Sequence, residues 1–130
     1  MTLLDMHIWF WWCEGNPRLG RRASWLDQQP QTELAISVFS IWEIAKLNEI
    51  GKIALPAPVS EWIDNNLADS GVRLIPLSKE IAIEACNLPG TFHRDPADQI
   101  IAATARSLDC DLLTADARIL SYGHVKAVAP

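Results

Sequence analysis

The segment Glu33-Leu34-Ala35-Ile36-Ser37-Val38-Phe39-Ser40-Ile41-Trp42-Glu43-Ile44-Ala45-Lys46-Leu47-Asn48-Glu49-Ile50-Gly51 changes character at Ser37. Glu33 to Ser37 reads as a buried strand, a short apolar run without polar alternation. Val38 to Ile50 has helical spacing, and Gly51 stands where a helix C′ glycine is expected. The same alternation recurs on both sides. Upstream, Thr2 to Leu4 predicts a strand and His7 to Cys13 a short helix. Gly15-Asn16-Pro17 breaks the pattern, and Arg21 to Gln28 predicts another helix. Downstream, Leu55-Pro56-Ala57-Pro58 is a linker and Val59 to Ala68 a helix that closes at Ser70-Gly71. Val72 to Ile75 follows as a strand and Ser78 to Leu88 as a helix capped by Ser78. Pro96 to Leu108 predicts a helix, Asp111 to Thr114 a strand, Ala115 to Leu120 a short helix and His124 to Val128 a last strand. Strands alternating with helices imply an α/β fold with a mainly parallel sheet.

The chain of 130 residues is long enough for one domain, spanning 1–130, with its own core. No window reaches the roughly 18 apolar residues of a membrane span. The run Ile8-Trp9-Phe10-Trp11-Trp12 is short and follows Asp5 and His7 rather than a basic stretch, so it makes a poor signal peptide. Cys13, Cys86 and Cys110 show no C-x-x-C spacing and read as buried, reduced thiols of a cytoplasmic protein. The net charge of −5 argues against broad electrostatic binding to nucleic acid. It does not exclude a metal-dependent nuclease, because setting aside four metal-bound carboxylates would bring −5 to −1.

Four carboxylates stand beside apolar runs on four segments: Asp5 after Leu3-Leu4, Glu43 inside Ile41-Trp42-Glu43-Ile44, Asp98 before Ile100-Ile101, and Asp116 after Leu112-Leu113-Thr114-Ala115. Unpaired charge in such surroundings is costly, so a shared divalent ion is the simplest common partner. Glu43 lies on one stripe with Phe39, Leu47 and Ile50; pairing with a buried arginine or bonding to a nearby backbone group is the alternative. Asp98 heads the row Ile101, Ala102, Ala105, while Asp95-Pro96 reads as the cap and first residue of that helix. Asp116 could cap the next helix, although Thr114 could do so instead. Asp5 has few local backbone donors that need it. In parallel sheets the ligand crevice lies beyond the carboxyl ends of the strands, where Asp5 and Asp116 fall.

Longer motifs join these acids. They are Leu3-Leu4-Asp5-Met6-His7 with Trp11-Trp12, then Ile36-Ser37 leading into Ser40-Ile41-Trp42-Glu43-Ile44-Ala45-Lys46, then Gly51-Lys52-Ile53 and Leu55-Pro56. Leu88-Pro89, His93-Arg94-Asp95-Pro96-Ala97-Asp98-Gln99-Ile100-Ile101-Ala102 and Leu113-Thr114-Ala115-Asp116 complete the set, and His93 to Ala105 is the most specific part. Over nearly the whole chain they resemble a PIN-domain ribonuclease, and within that group a VapC-type toxin of a type II toxin–antitoxin pair. The resemblance implies a three-layer sandwich with a parallel sheet of about five strands. It implies that Asp5, Glu43, Asp98 and Asp116 bind Mg2+ or Mn2+ and catalyse hydrolysis of RNA phosphodiester bonds, with Asp95 nearby. Its further implications are a cognate antitoxin and a homodimer. One position departs from the family: the residue after Asp5 is usually Thr or Ser, and here it is Met6, which has no hydroxyl to order the site.

Oxygen-only ligands suit Mg2+ or Mn2+ and argue against zinc. Thr114 and Asp95 are candidates for a supporting role, and Arg94 for contact with substrate phosphate or for an ion pair with Asp95. His7, His93 and His124 lack metal-ligand spacing. Of the six tryptophans, Trp42 and about half of the rest are expected in the core. Some of Trp9 to Trp12 and Trp62 would instead form an exposed groove for the antitoxin or a second copy. The rival reading is a binding module with a weak or inactive site that acts through its partner, and Met6 is the feature behind it.

Overall fold

The computed structural model describes the backbone of residues 1–130 and every side chain except that of Gln31. Five strands form one sheet: β1 Thr2–Leu4, β2 Leu34–Ser37, β3 Arg73–Ile75, β4 Asp111–Leu113 and β5 Ala127–Val128. Their order is β3-β2-β1-β4-β5, and every neighbouring pair is parallel. Seven helices connect them: α1 Met6–Glu14, α2 Arg22–Asp27, α3 Val38–Glu49, α4 Val59–Ser70, α5 Lys79–Ala85, α6 Pro96–Leu108 and α7 Ala117–Leu120.

The strand register explains the layers. Leu3 pairs with Ala35 and Leu112, and Leu4 pairs with Ile36 and Leu113. Successive side chains on a strand point to opposite faces, so these two rows go to two cores. Leu4, Ile36 and Leu113 pack with Trp9 of α1, Leu26 of α2, Ile44 of α3 and Trp62 of α4. Leu3, Ala35 and Leu112 pack with Ile81 of α5, Ile101 of α6 and Ile119 of α7. The result is the expected helix–sheet–helix sandwich.

The β2–α3 junction follows its sequence closely. Ser37 caps α3, its Oγ accepting from Phe39 N at 3.1 Å. Gly51 takes the left-handed conformation with φ +77°. Gly51 N donates to Asn48 O at 3.2 Å and Lys52 N to Leu47 O at 2.8 Å, the paired bonds of a Schellman stop.

Several expectations need correction. The helix expected over Ser78 to Leu88 ends at Ala85, because Cys86 and Asn87 close it through tight i−3 bonds and Leu88 precedes a proline. The last strand is only Ala127–Val128, paired with the short β4. Trp42 is not a core residue; it is 53% exposed, whereas Trp9 and Trp62 are buried between helices and sheet. Trp9 and Trp62 therefore cannot line an exposed partner groove. Of the three free thiols only Cys110 is buried, Cys13 is half-buried and Cys86 is exposed. Among the described residues, no helix is long and apolar enough to cross a membrane.

The strand order places the site. From β1 the chain winds outward through β2 and β3, then returns to lay β4 on the other side of β1. The connections leaving β1 and β4 therefore diverge, and a crevice opens beyond their carboxyl ends. Asp5 directly follows β1, and Thr114 to Asp116 directly follow β4.

Candidate active site

The first acid is fixed at both oxygens. Asp5 caps α1, its Oδ1 accepting from Met6 N at 2.8 Å. The sequence had suggested few local donors for it; the first turn of α1 supplies one. Asp5 N donates to Leu113 O at 2.9 Å, which ties the end of β1 to β4. Asp5 Oδ2 accepts from Thr114 Oγ1 at 2.7 Å. Thr114 is fully buried, and its hydroxyl also accepts from Asp116 N at 3.1 Å. Met6 points into the core and is 2% exposed, so the hydroxyl beside Asp5 comes from Thr114, across the sheet.

Asp116 caps α7 itself, its Oδ1 accepting from Arg118 N at 2.8 Å and Ile119 N at 3.3 Å. Thr114, the alternative cap in the sequence, is turned toward Asp5 instead. Asp95 caps α6 as expected, accepting from Asp98 N at 3.1 Å, with Pro96 first in the helix. Asp98 stands at the third position of α6, above the buried row of Ile101, Ala102 and Ala105. Its Oδ2 meets Nε2 of His93 at 2.6 Å and accepts from Arg118 Nη2 at 3.1 Å. The same Arg118 nitrogen lies 3.5 Å from Asp116 Oδ2.

Glu43 is the exception. It is half-buried on α3, and among the described residues no hydrogen bond or ion pair reaches its carboxylate. Its stripe borders the core rather than joining it: Ser40 and Ile44 are buried, Phe39 and Leu47 are half-buried, and Ile50 is exposed.

Asp5, Glu43, Asp98, Asp116 and Asp95 all line one cavity of about 380 Å3. Arg18, Arg118, His7, Trp11 and Ala115 complete its walls. Arg94, the arginine singled out from sequence, is exposed and is not among the lining residues. It also makes no ion pair with Asp95 among the described residues. Arg18 and Arg118 were missed; the only available signal was the spacing Asp116-Ala117-Arg118, which returns the arginine toward its own capping acid.

Burial, followed by the crowding of like charges, sets the electrostatics. Burial, then repulsion from Asp5, Asp98 and Asp95, pushes the Glu43 carboxyl up to about 8. Burial also raises Asp5, against the pull of the Thr114 hydroxyl and the Met6 amide. Asp98 is raised by burial and by its acidic neighbours, partly offset by His93. Asp116 goes the other way. Partial burial alone would raise it, but the Arg118 and Ile119 amides and the Arg118 guanidinium hold it below the usual range.

The PIN-domain sequence pattern matches residues 2–125. Ribonuclease VapC22 of Mycobacterium tuberculosis is 37% identical over 127 residues, covering 98% of this chain and 95% of that one. Among solved structures, VapBC-1 from nontypeable Haemophilus influenzae superposes with a TM-score of 0.71 at 18% identity, covering 98% of this chain and 96% of that one. The Mycobacterium tuberculosis toxin VapC20, described as cleaving the sarcin–ricin loop, superposes with a TM-score of 0.67 at 19% identity over 100% of both chains.

Proposed function

Because the chain belongs to the PIN-domain family, we propose that it is a metal-dependent endoribonuclease, the toxin of a type II toxin–antitoxin pair, that hydrolyses RNA phosphodiester bonds at the acidic cavity. The observation that carries this reading is the convergence of Asp5, Glu43, Asp98 and Asp116, from four separate elements, on one cavity at the switch point of the sheet. The relative named as a ribonuclease and the structural neighbours named as toxins support it.

The donor set fits Mg2+ or Mn2+. Every candidate ligand atom is a carboxylate oxygen, and Glu43 has no cation of its own among the described residues. Those residues contain no three His, Cys, Asp or Glu side chains already gathered as a closed ligand set. An ion at this cavity would therefore be held by one or two carboxylates and otherwise through water. Asp5 and Glu43 would hold it from one wall, and Asp98 and Asp116 directly or through water from the other.

When bound, the metal would acidify an attacking water and offset charge on the phosphate. The protein's own groups supply the rest. Met6 N and the Thr114 hydroxyl fix the Asp5 carboxylate, so its orientation is set before substrate arrives. One of the four acids, when not fully committed to the metal, would accept the proton from the attacking water. Arg118 neutralises Asp98 and Asp116 and keeps a guanidinium at the cavity wall, suited to a phosphate oxygen.

A cognate antitoxin and a second copy of the chain are the proposed protein partners, and the cytoplasm is the proposed location. The apolar surface of Phe39, Trp42, Leu47 and Pro96 borders the acids at Glu43 and Asp95, and we assign the antitoxin to it. The rival reading, an inactive binding module, rests on Met6, and the Thr114 hydroxyl that donates to Asp5 Oδ2 supports the active reading against it. Two measurements decide. The purified protein should cleave RNA with Mg2+ or Mn2+ and not with chelator, and its expression should arrest growth unless Asp5→Ala is present. Metal-independent cleavage, or arrest that survives Asp5→Ala, would sink the proposal.

A further inference from the structure

Two grooves adjoin the acidic cavity, and no Asp or Glu lines either, although Pro130, the last residue of the chain, lines the first. The first, about 490 Å3, is lined by Arg18, Arg21, Arg22 and Trp25 around the turn that follows α1. The second, about 400 Å3, is lined by Phe92, His93, Arg118, Tyr122 and His124. Each shares one arginine with the cavity: Arg18 belongs to the first groove and the cavity, Arg118 to the second and the cavity. Four of the chain's 11 Lys and Arg residues thus line this one path, on a protein of net charge −5.

Both grooves also carry flat rings. In the first, the Arg22 guanidinium lies over the Trp25 ring at 5.0 Å, and the Arg18 guanidinium lies 5.4 Å from the Trp11 ring at the cavity edge. In the second, Phe92 stacks on His93 at 4.3 Å, Tyr122 meets Phe92 edge-on at 4.7 Å, and His124 lies 5.4 Å from Tyr122. His93 in turn touches Asp98, so this array is anchored to the acid site. At Gly90, which has φ +67°, an added Cβ would fall 3.3 Å from His124 Nε2. A side chain there would crowd the ring that borders the groove.

Given the nuclease reading above, on which this inference rests, we propose that the two grooves are subsites for the nucleotides flanking the scissile phosphate. A single strand laid along the path would cross the acids only at the phosphate to be cut. Elsewhere it would meet guanidinium groups and the exposed ring of His124, which the half-buried Phe92 and His93 and the buried Tyr122 back, the combination of cations and rings that holds single-stranded RNA. The grooves thereby answer how an acidic protein retains a polyanion without a broad basic face.

The test uses the full-length protein and a labelled single-stranded oligoribonucleotide that spans the cavity and both grooves, with Ca2+ replacing Mg2+ so that binding is read without cleavage. Arg21→Gln should weaken binding roughly three- to tenfold at low salt and lower the salt slope by about one, while Arg21→Lys should keep the slope. His124→Ala should weaken binding by a similar factor, roughly that of one lost stacking contact, with little change in salt slope. Lys79→Gln, an exposed charge change on α5 outside both grooves, should bind like the unaltered protein. Under Mg2+ the two groove variants should raise KM and leave kcat nearly unchanged, and thermal melting checks that they fold. If Arg21→Gln and His124→Ala bind with unaltered affinity and slope while cleavage persists, the grooves are not subsites and the nuclease reading stands. Groove-dependent RNA binding without any Mg2+-dependent cleavage would overturn the nuclease reading, and with it the role of the grooves as subsites beside a scissile phosphate. A protein that binds no RNA overturns both.

Discussion

The two walls of the acidic cavity meet the same electrostatic problem differently. On one wall, Asp98 and Asp116 share the guanidinium of Arg118, and Asp98 also touches His93. On the other, Asp5 is held only by an amide and a hydroxyl, and Glu43 by no described partner. One wall carries its own cation; the other leaves its charge uncompensated, and there a metal ion gains the most by binding. An Arg-paired carboxylate is already satisfied, whereas an isolated half-buried one relaxes only by taking a proton or a cation.

The largest expected effect is on the uncompensated wall. Asp5→Asn or Glu43→Gln should cut Mg2+-dependent cleavage by at least about a hundredfold, beyond what loss of a merely supporting residue costs. Stability without metal should stay equal or rise, since repulsion is relieved. A variant that cleaves RNA normally would show that the wall is only structural.

The pH dependence has a definite sign. Glu43 moves from 4.5 to about 8 on folding, so between those values the folded state binds a proton that the unfolded state has released. Its contribution therefore lowers stability as pH rises through that window, and Glu43→Gln should flatten the decline in denaturant titrations at successive pH values. Metal must displace the same proton, so Mn2+ affinity should rise by up to about tenfold per pH unit below that value and then level off. Calorimetric titration checks this, and a flat profile would mean that Glu43 does not meet the ion.

Thr114→Val removes one hydroxyl from between the walls. It leaves Asp5 Oδ2 without its donor and Asp116 N without its acceptor, at a cost of about 1–3 kcal/mol in chemical denaturation. Metal affinity should fall about 10- to 100-fold, as for other groups that orient ligands. Thr114→Ser should recover most of both. On the cation-bearing wall, Arg118→Ala should tighten Mn2+ binding only a few-fold, because a half-exposed ion pair contributes about 1 kcal/mol or less. Weaker binding would invert the comparison. The smallest effect belongs to Asp95→Ala, which should cost about 1 kcal/mol of stability with or without metal, as loss of a helix cap does. Cleavage should survive that change.

Much of this arrangement was legible in the chain because local chemistry and tertiary role coincide. Ser37, Gly51 and Asp95-Pro96 announce helix ends, and the structure uses them as such. Asp98 above Ile101 and Ala102 gives away a carboxylate at the head of a buried row. The misplacements arose where a choice depends on what the rest of the fold covers. Trp42 has core chemistry, but α3 turns Ser40 and Ile44 inward and leaves Trp42 outside. Thr114 and Asp116 were both fair caps for α7, and only the neighbouring β1 decides that Thr114 faces Asp5. Arg118 was hard to place because its stronger contact, to Asp98, spans 20 residues from α7 to α6, and the ring path around Tyr122 likewise joins separate segments.

The Thr114 hydroxyl gives to one acid and receives from the backbone of another. It works as a spacer between two loops that leave adjacent strands in different directions. Neither loop can shift without pulling on the other, so the ends of β1 and β4 behave as one mechanical part. The cavity is therefore tied together where those two strands end, and Glu43 on α3 is the acid that no such tie reaches among the described residues.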